Sequence, residues 1–263
     1  MTSQSDNKKE DRSLIANSSA ADAAQESEAG TTAPEAAIWK MLAETSQSLQ
    51  MLSASIKAAV SSLLDNTIIW DRTAQHDFMV SINESIDRSF PLIVAMTLAM
   101  KSKGGTLEWI IEPCSIQEII SRVADTLERE GVEAKISLSL PAGGKPVLVD
   151  YDYLRIALKM LIEALLSATA TGPISLQISA IEEPAHWQIH VAGEFTDRAA
   201  KLIHWLGSTR EEAASFPKDI QSEIMVRAFT AIQILNQQDI EFAAWPETSS
   251  PVSFMLVIPS LSQ

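Results

Sequence analysis

From Ile38 to Leu64, Leu42, Leu49, Ile56 and Leu63 recur every seven residues, with Thr45, Leu52, Ala59 and Asn66 three places after each. This 3–4 alternation predicts a helix carrying a coiled-coil seam. A second run places Met79, Ile86, Ile93 and Met100 on one register and Ile82, Ser89 and Met96 on the other. Asp65-Asn66 and the residues up to Asp71 predict the break between the helices. Pro91 predicts a kink, because it removes a backbone donor. Gly104-Gly105 predicts a C-terminal cap and hinge. The expectation is an antiparallel helical hairpin over residues 38–105. Its apolar outer face would be buried by pairing with a second copy as a four-helix bundle, or else by packing on the chain's own C-terminal domain.

After the glycine hinge the period alternates. Leu107 to Ile111 predicts a short strand. Ser115 predicts the cap of a helix from Ile116 to Glu130, with Ile116, Ile119, Ile120, Val123 and Leu127 on one face. Strands are predicted at Ala134–Leu140 and Val147–Val149, joined by a Pro-Ala-Gly-Gly turn. Asp150 or Asp152 would cap a helix running to Ala168 that is apolar around most of its circumference, and therefore buried. Ile174–Ala180 and Trp187–Val191 form a predicted hairpin pair. Helices at Thr196–Leu206 and Ser222–Gln237 follow, then strands at Ile240–Trp245 and Val252–Ile258. The fold class is α+β: a helical hairpin followed, over residues 106–263, by a sandwich of helices on one face of a mixed sheet.

Composition narrows the function. The 263 residues hold 20 Lys plus Arg against 34 Asp plus Glu, a formal net charge of -14. No basic surplus exists to neutralise phosphates, so nucleic acid is not an expected ligand. A single cysteine, Cys114, allows no internal disulfide, and no Cys/His grouping has zinc spacing. No apolar stretch reaches the ~18–20 residues that span a bilayer, and the polar Met1–Glu10 segment has no signal-peptide core. A soluble, cytoplasmic protein is expected. Residues 1–37, rich in Ala, Ser, Glu and Thr, predict a disordered tail, either a solvated extension or a docking or phosphorylated segment. Only 9 glycines occur, and none lies between Ser208 and Gln263. A glycine loop that cradles phosphate with backbone N–H groups therefore cannot exist in the last fifth of the chain.

Three passages carry a family likeness. Leu98–Ile120 (LAMKSKGGTLEWIIEPCSIQEII), Val147–Ile178 (VLVDYDYLRIALKMLIEALLSATATGPISLQI) and VSFMLVIPS near the C-terminus stand in the order found in sensor histidine kinases. Over Ile38 to Ser260 the chain resembles such a kinase core: a dimerisation and phosphoacceptor hairpin followed by a GHKL (Bergerat-like) ATPase domain. The resemblance implies a phosphoacceptor His on the first helix, an Asn-bearing N-box for magnesium and phosphate, an Asp-x-Gly-x-Gly box for adenine, and a second glycine box.

The chain departs from each. Thr45–Ile56 resembles the phosphoacceptor box, but Gln47 stands where the His belongs, and no His precedes His76. Gln has no ring nitrogen to form a phosphoramidate. The resemblance puts Met160 and Ala164 at the two N-box places, and no Asn lies between Glu84 and Leu235. Glu163 is the only acid of that helix beyond Asp152, and a lone carboxylate holds magnesium poorly. Ile189–Asp197 matches the adenine box with one glycine, Gly193, and Asp-x-Gly occurs nowhere.

The expected function is that of a catalytically inactive histidine-kinase-like protein, a dimeric scaffold or regulator in two-component-type signalling, with no cofactor and no metal. Its expected partners are a second copy or a related kinase through a seam of Leu42, Leu49, Leu52, Ile56, Leu63, Met79, Ile82, Ile86, Ile93 and Met96, and a response-regulator receiver domain. One alternative is ATP-independent phosphotransfer through His76, with Asp77 orienting the ring; another is an active sensor kinase. His186 and His190, on one strand face, lack an evident third metal ligand. His204 and Trp205 are read as core or rim, and Glu211, Glu212 and Asp219 as a solvated loop.

Overall fold

The computed structural model describes residues 33–64, 70–131, 134–169, 174–183, 185–208, 217, 219–244 and 252–260. Helix α1 spans Ala33–Leu64 and α2 Arg72–Lys103. On α1 Met41, Leu42, Thr45 and Ala59 are buried, and Thr45, fully buried, donates its hydroxyl to Met41 O at 2.9 Å. Asp71 caps α2 by accepting from Ala74 N at 2.7 Å. Trp70 closes the tip: its Nε1 donates to Ser62 O at 3.0 Å, and its ring stands edge-on to Phe78 with centroids 4.9 Å apart. At the other end Gly105 takes φ +63°, so that Thr106 N reaches Lys101 O and Gly105 N reaches Ser102 O, a Schellman stop. Lys103 Nζ lies 4.3 Å from the Trp39 ring centroid and ties the two helices at their root.

One expectation changes here. The helix begins at Ala33, inside the segment read as a disordered tail, because Pro34 is tolerated in a first turn although the apolar period starts only at Ile38; residues 1–32 lie outside the described residues. In α2 the residues buried against neighbours are Ser85, Leu92, Ala95, Leu98, Ala99 and Ser102. Ile82 and Met96 lie at the margin of that face, and Met79, Ile86 and Ile93 point away from it, 63%, 50% and 47% exposed in the order Met79, Ile93, Ile86. The helix therefore carries two stripes, one turned inward and one outward. It continues through Pro91.

The α/β unit comprises β1 (Ile111–Cys114), α3 (Ile116–Arg129), β2 (Ala134–Ser139), β3 (Val147–Asp150), α4 (Tyr151–Ala168), β4 (Ile174–Glu182), β5 (His186–Gly193), α5 (Asp197–Gly207), α6 (Ser222–Asn236), β6 (Glu241–Ala244) and β7 (Val252–Pro259). β1 and β3 form a separate antiparallel pair, while the main sheet runs β2-β4-β5-β7-β6 with only β2–β4 parallel. A single bridge, Val147 to Ser260, joins the two, so the expected one sheet is divided. Strict alternation on β5 sends Trp187, Ile189 and Val191 inward onto the helices and His186, Gln188 and His190 outward.

Leu107–Ile110 do not form the expected strand start. Leu107 is buried, Trp109 packs edge-on to Tyr153 at 4.9 Å, and Ile110 N donates to Asp150 Oδ2 at 2.7 Å, so these residues plug the α/β unit instead of pairing. Asp150, and not Asp152, caps α4: its Oδ1 accepts from Tyr153 N at 3.0 Å, and its own N–H donates to Gln238 Oε1 at 2.7 Å. Ser115 caps α3 by accepting from Glu118 N.

The turn before β3 covers the fully buried Trp187, whose Nε1 donates to Lys145 O at 2.9 Å. Gly144 sits there at φ +139°, and a Cβ on it would overlap the indole ring. Gly144→Ala is expected to cost about 2–3 kcal/mol through overpacking and backbone strain, read as a lower urea midpoint with the Trp187 emission shifted to the red.

Candidate functional site

The positions that the resemblance assigned are now in place. Gln47 is exposed on α1, two residues from the inward-facing Thr45 and so on the opposite side of the helix. His76 and Asp77 are both exposed on the first turns of α2, beside the hairpin tip. They lie on a different helix from Gln47 and at the far end of the hairpin from its α/β-bound root.

On α4 Met160 and Ala164 hold the two places that the resemblance assigned to the N-box. Met160 is 6% exposed and Ala164 fully buried; both belong to the core. The helix turns Asp152, Ile156, Lys159 and Glu163 outward instead, the last two one helical turn apart. Lys159 Nζ lies 3.0 Å from Glu163 Oε1 and 2.8 Å from Glu130 Oε2, which reaches over from the end of α3. Burial on its own lowers the lysine's pKa, but the hydrogen bond from Glu130 and the charge and hydrogen bond of Glu163 outweigh it and hold the ammonium above its ordinary value. Lys159 and Glu163 form a polar pair at i and i+4 on a helix that is otherwise mostly apolar beyond Arg155.

A magnesium–nucleotide fits this face poorly. Its acid, Glu163, is taken by Lys159, and the lysine is shared between two carboxylates, so the triad offers neither a free ligand for a cation nor a free positive charge for phosphate. Arg155, the other cation of the stripe, pairs with Asp152 at 3.2 Å. Among the described residues no group of three or more His, Cys, Asp and Glu side chains could hold a metal ion.

Gly193 ends β5 where a Cβ would press within 3.1 Å of Ser175 O and 3.2 Å of the Phe195 ring, so the missing side chain serves close packing there. Thr196 Oγ1 donates to Ala168 O at 3.1 Å and starts α5 against the end of α4. α5 buries Ala199, Leu202 and Ile203. Arg198 Nη2 donates to Asp219 O at 2.6 Å, and Lys201 Nζ meets Asp219 Oδ2 at 2.9 Å. Lys201 lowers the Asp219 pKa, and Asp219 raises that of Lys201. Asp219, expected to be loop, thus clamps α5 to the approach to α6, while Glu211 and Glu212 lie outside the described residues. His186 and His190 are joined through Gln188, at 3.0 and 3.2 Å, on the outer face of the sheet. His204 is exposed and Trp205 half-buried on α5. Cys114 is buried, and desolvation first, then the nearby Glu112, Asp150 and Glu118, push its thiol pKa up, so it is a poor nucleophile.

No family model and no curated protein matches the sequence. Solved structures do. The chain is similar to the Acinetobacter baumannii histidine kinase AdeS, with a TM-score of 0.55 at 13% identity over 82% of this chain and 98% of that one. It is similar also to ShkA, solved full-length in complex with AMPPNP, with a TM-score of 0.54 at 13% identity over 85% of this chain. It spans 46% of the ShkA chain. The fold is that of a histidine kinase core. The mixed α/β unit is of the GHKL type expected from the sequence, at an identity that establishes architecture and not chemistry. Among the described residues no helix of this core is long and apolar enough to cross a membrane.

The Lys159 triad makes a prediction about pH. Because the folded-state pKa is raised, its contribution is present throughout the neutral range and is lost only as pH climbs through that raised value, above the ordinary lysine range. Lys159→Met leaves Glu130 and Glu163 facing each other and is expected to cost about 1–2 kcal/mol at pH 7. In urea titrations the gap to wild type should be level from pH 6 to 9 and should narrow beyond about pH 10.5; a gap unchanged at pH 11 would show that the ion pairs do not supply it.

Proposed function

We propose that this chain is a catalytically inactive relative of the sensor kinases that dimerises through its hairpin and works as a scaffold or regulator in two-component-type signalling. The observation that carries the reading is the outward stripe of α2. Met79, Ile82, Ile86, Phe90, Ile93, Met96 and Met100 follow one another at spacings of three and four residues with no charged residue among them. Phe90 is 66% exposed and Met100 59%. In a chain with net charge -14 such a stripe is a helix-packing surface, and a contiguous exposed apolar surface of this kind marks an interaction site. A second copy would bring its own stripe against it and complete a four-helix bundle, with the half-buried Leu49, Leu52, Ile56 and Leu63 of α1 covered at the same time.

Absence of catalysis is supported by the residues at each phosphate-handling position. Gln47 cannot accept a phosphoryl group, Met160 and Ala164 stand at the two N-box places, Gly193 stands without the Asp-x-Gly pattern, and no glycine follows Gly207. A response-regulator receiver domain or a related kinase is the partner class that a kinase-shaped hairpin would recognise.

Three measurements decide between the readings. Light scattering at tens of micromolar should give twice 28.7 kDa for the wild type, and the paired change Ile86→Glu with Ile93→Glu should give a monomer with unchanged circular dichroism. A monomeric wild type would sink the dimer. Calorimetry with magnesium and AMPPNP should register no saturable heat; saturable binding would restore an active-kinase reading. A phosphorylated receiver domain should leave no acid-labile label on the chain. Label that disappears in His76→Ala would make the protein a phosphotransferase.

A further inference from the structure

The hairpin and the α/β unit are joined by more than the residue 104–110 link, because α6 packs on α1 and α2 as well as on α4. The hairpin root is shaped to receive it. Ala95, Ala99 and Ser102 lie on one face of α2 and are 0%, 5% and 3% exposed, so small side chains let the two helices come close. At that approach Thr230, fully buried on α6, places its hydroxyl 3.2 Å from Ala95 O while remaining 2.6 Å from Val226 O of its own helix. Two turns further on, Gln237 Nε2 donates to Ser102 O at 2.9 Å. The next residue, Gln238, accepts from Asp150 N, and Asp150 in turn accepts from Ile110 N at the end of the link. Side-chain bonds of this kind therefore pin the link at both of its ends.

We propose that α6 is a latch that holds the α/β unit in one fixed pose on the hairpin, so that the protein presents its hairpin stripe and its sheet as one rigid surface. Contact of small residues with a helix, reinforced by buried polar bonds, fixes both the spacing and the register of a packed pair. A merely covalent joint of this length, with glycines at its start, would leave the units free to reorient. The latch goes beyond the scaffold reading and stands independently of it, since it does not require a dimer or the loss of nucleotide binding.

The test measures a distance across the joint. Spin labels are placed at Gln50→Cys on α1 and Ser137→Cys on β2, both exposed, in a Cys114→Ala background. Labelled chain is diluted into excess unlabelled protein, so that each pair reports on one protomer. Pulsed electron–electron resonance should give a single narrow distance, unchanged by magnesium and AMPPNP. Thr230→Val combined with Gln237→Met removes the two bonds at nearly constant volume and should raise the undocked population about five- to tenfold per bond. It should appear as a broadened tail and as faster hydrogen exchange in Thr106–Ile110. Ala95→Trp should broaden the distribution outright, and circular dichroism would separate this from unfolding. A broad or several-peaked wild-type distribution overturns the latch. So does a narrow one that all these variants leave narrow, because the contact would then not be what fixes the pose.

Discussion

The structure depends on burying one helix from several sides. Nine of the 15 residues of α6 are buried, and the helix has α4 on one flank and the hairpin root on another. Each buried Ile, Leu, Val or Met removed from water is worth about 1.5–3 kcal/mol, so this helix accounts for much of the tertiary free energy. It also packs against both units. The segment leading into α6 is tied down by side-chain contacts from α5. The chain has no glycine from Ser208 onward, and it holds the approach to α6 with the Arg198 and Lys201 contacts to Asp219 instead.

Asp150 has a similar role at smaller scale. Buried to 5% exposure, its carboxylate accepts from Ile110 N and Tyr153 N, and its backbone N–H is satisfied by Gln238. One residue thereby caps α4, fixes the end of the inter-unit link and meets the turn after α6. A buried carboxylate needs such partners. The geometry that satisfies it also determines why Leu107–Ile110 run as a plug instead of a strand: the N–H that would have paired in a sheet goes to the Asp150 side chain.

Much of the fold was legible because its periods are clean. Alternation in β5 and the amphipathic spacing of α3 need no tertiary information, and the Asp and Ser caps mark where the helices start. The errors fell where the pattern does not specify a side. α4 is apolar around most of its girth, so periodicity could not tell the core face from the outer one; only the packing of Met160 and Ala164 against neighbours does, and it leaves Lys159 and Glu163 outside. α2 carries two apolar stripes, and the heptads of Met79, Ile86 and Ile93 read as well as those of Leu92 and Ala99. Which stripe meets α1 depends on α6, which selects the side with small residues. The division of the sheet was not readable either, because it depends on which strand edges Val147 and Ser260 reach.

These choices bear on how much of a histidine-kinase fold is held by its core and how much by its rim. In such a fold the positions that would hold a nucleotide are polar side chains on the rim, and the positions that hold the fold are apolar side chains beneath them. Replacing a rim residue leaves the transfer free energy of the core untouched, but it strands whatever charge it faced. On α4 the charges are met internally: Glu163 and Glu130 each lie within 3.0 Å of the Lys159 Nζ. A face that satisfies its own charges has nothing to gain from a bound metal, and the apolar stripe of α2 is then the surface with free energy still to gain from a partner.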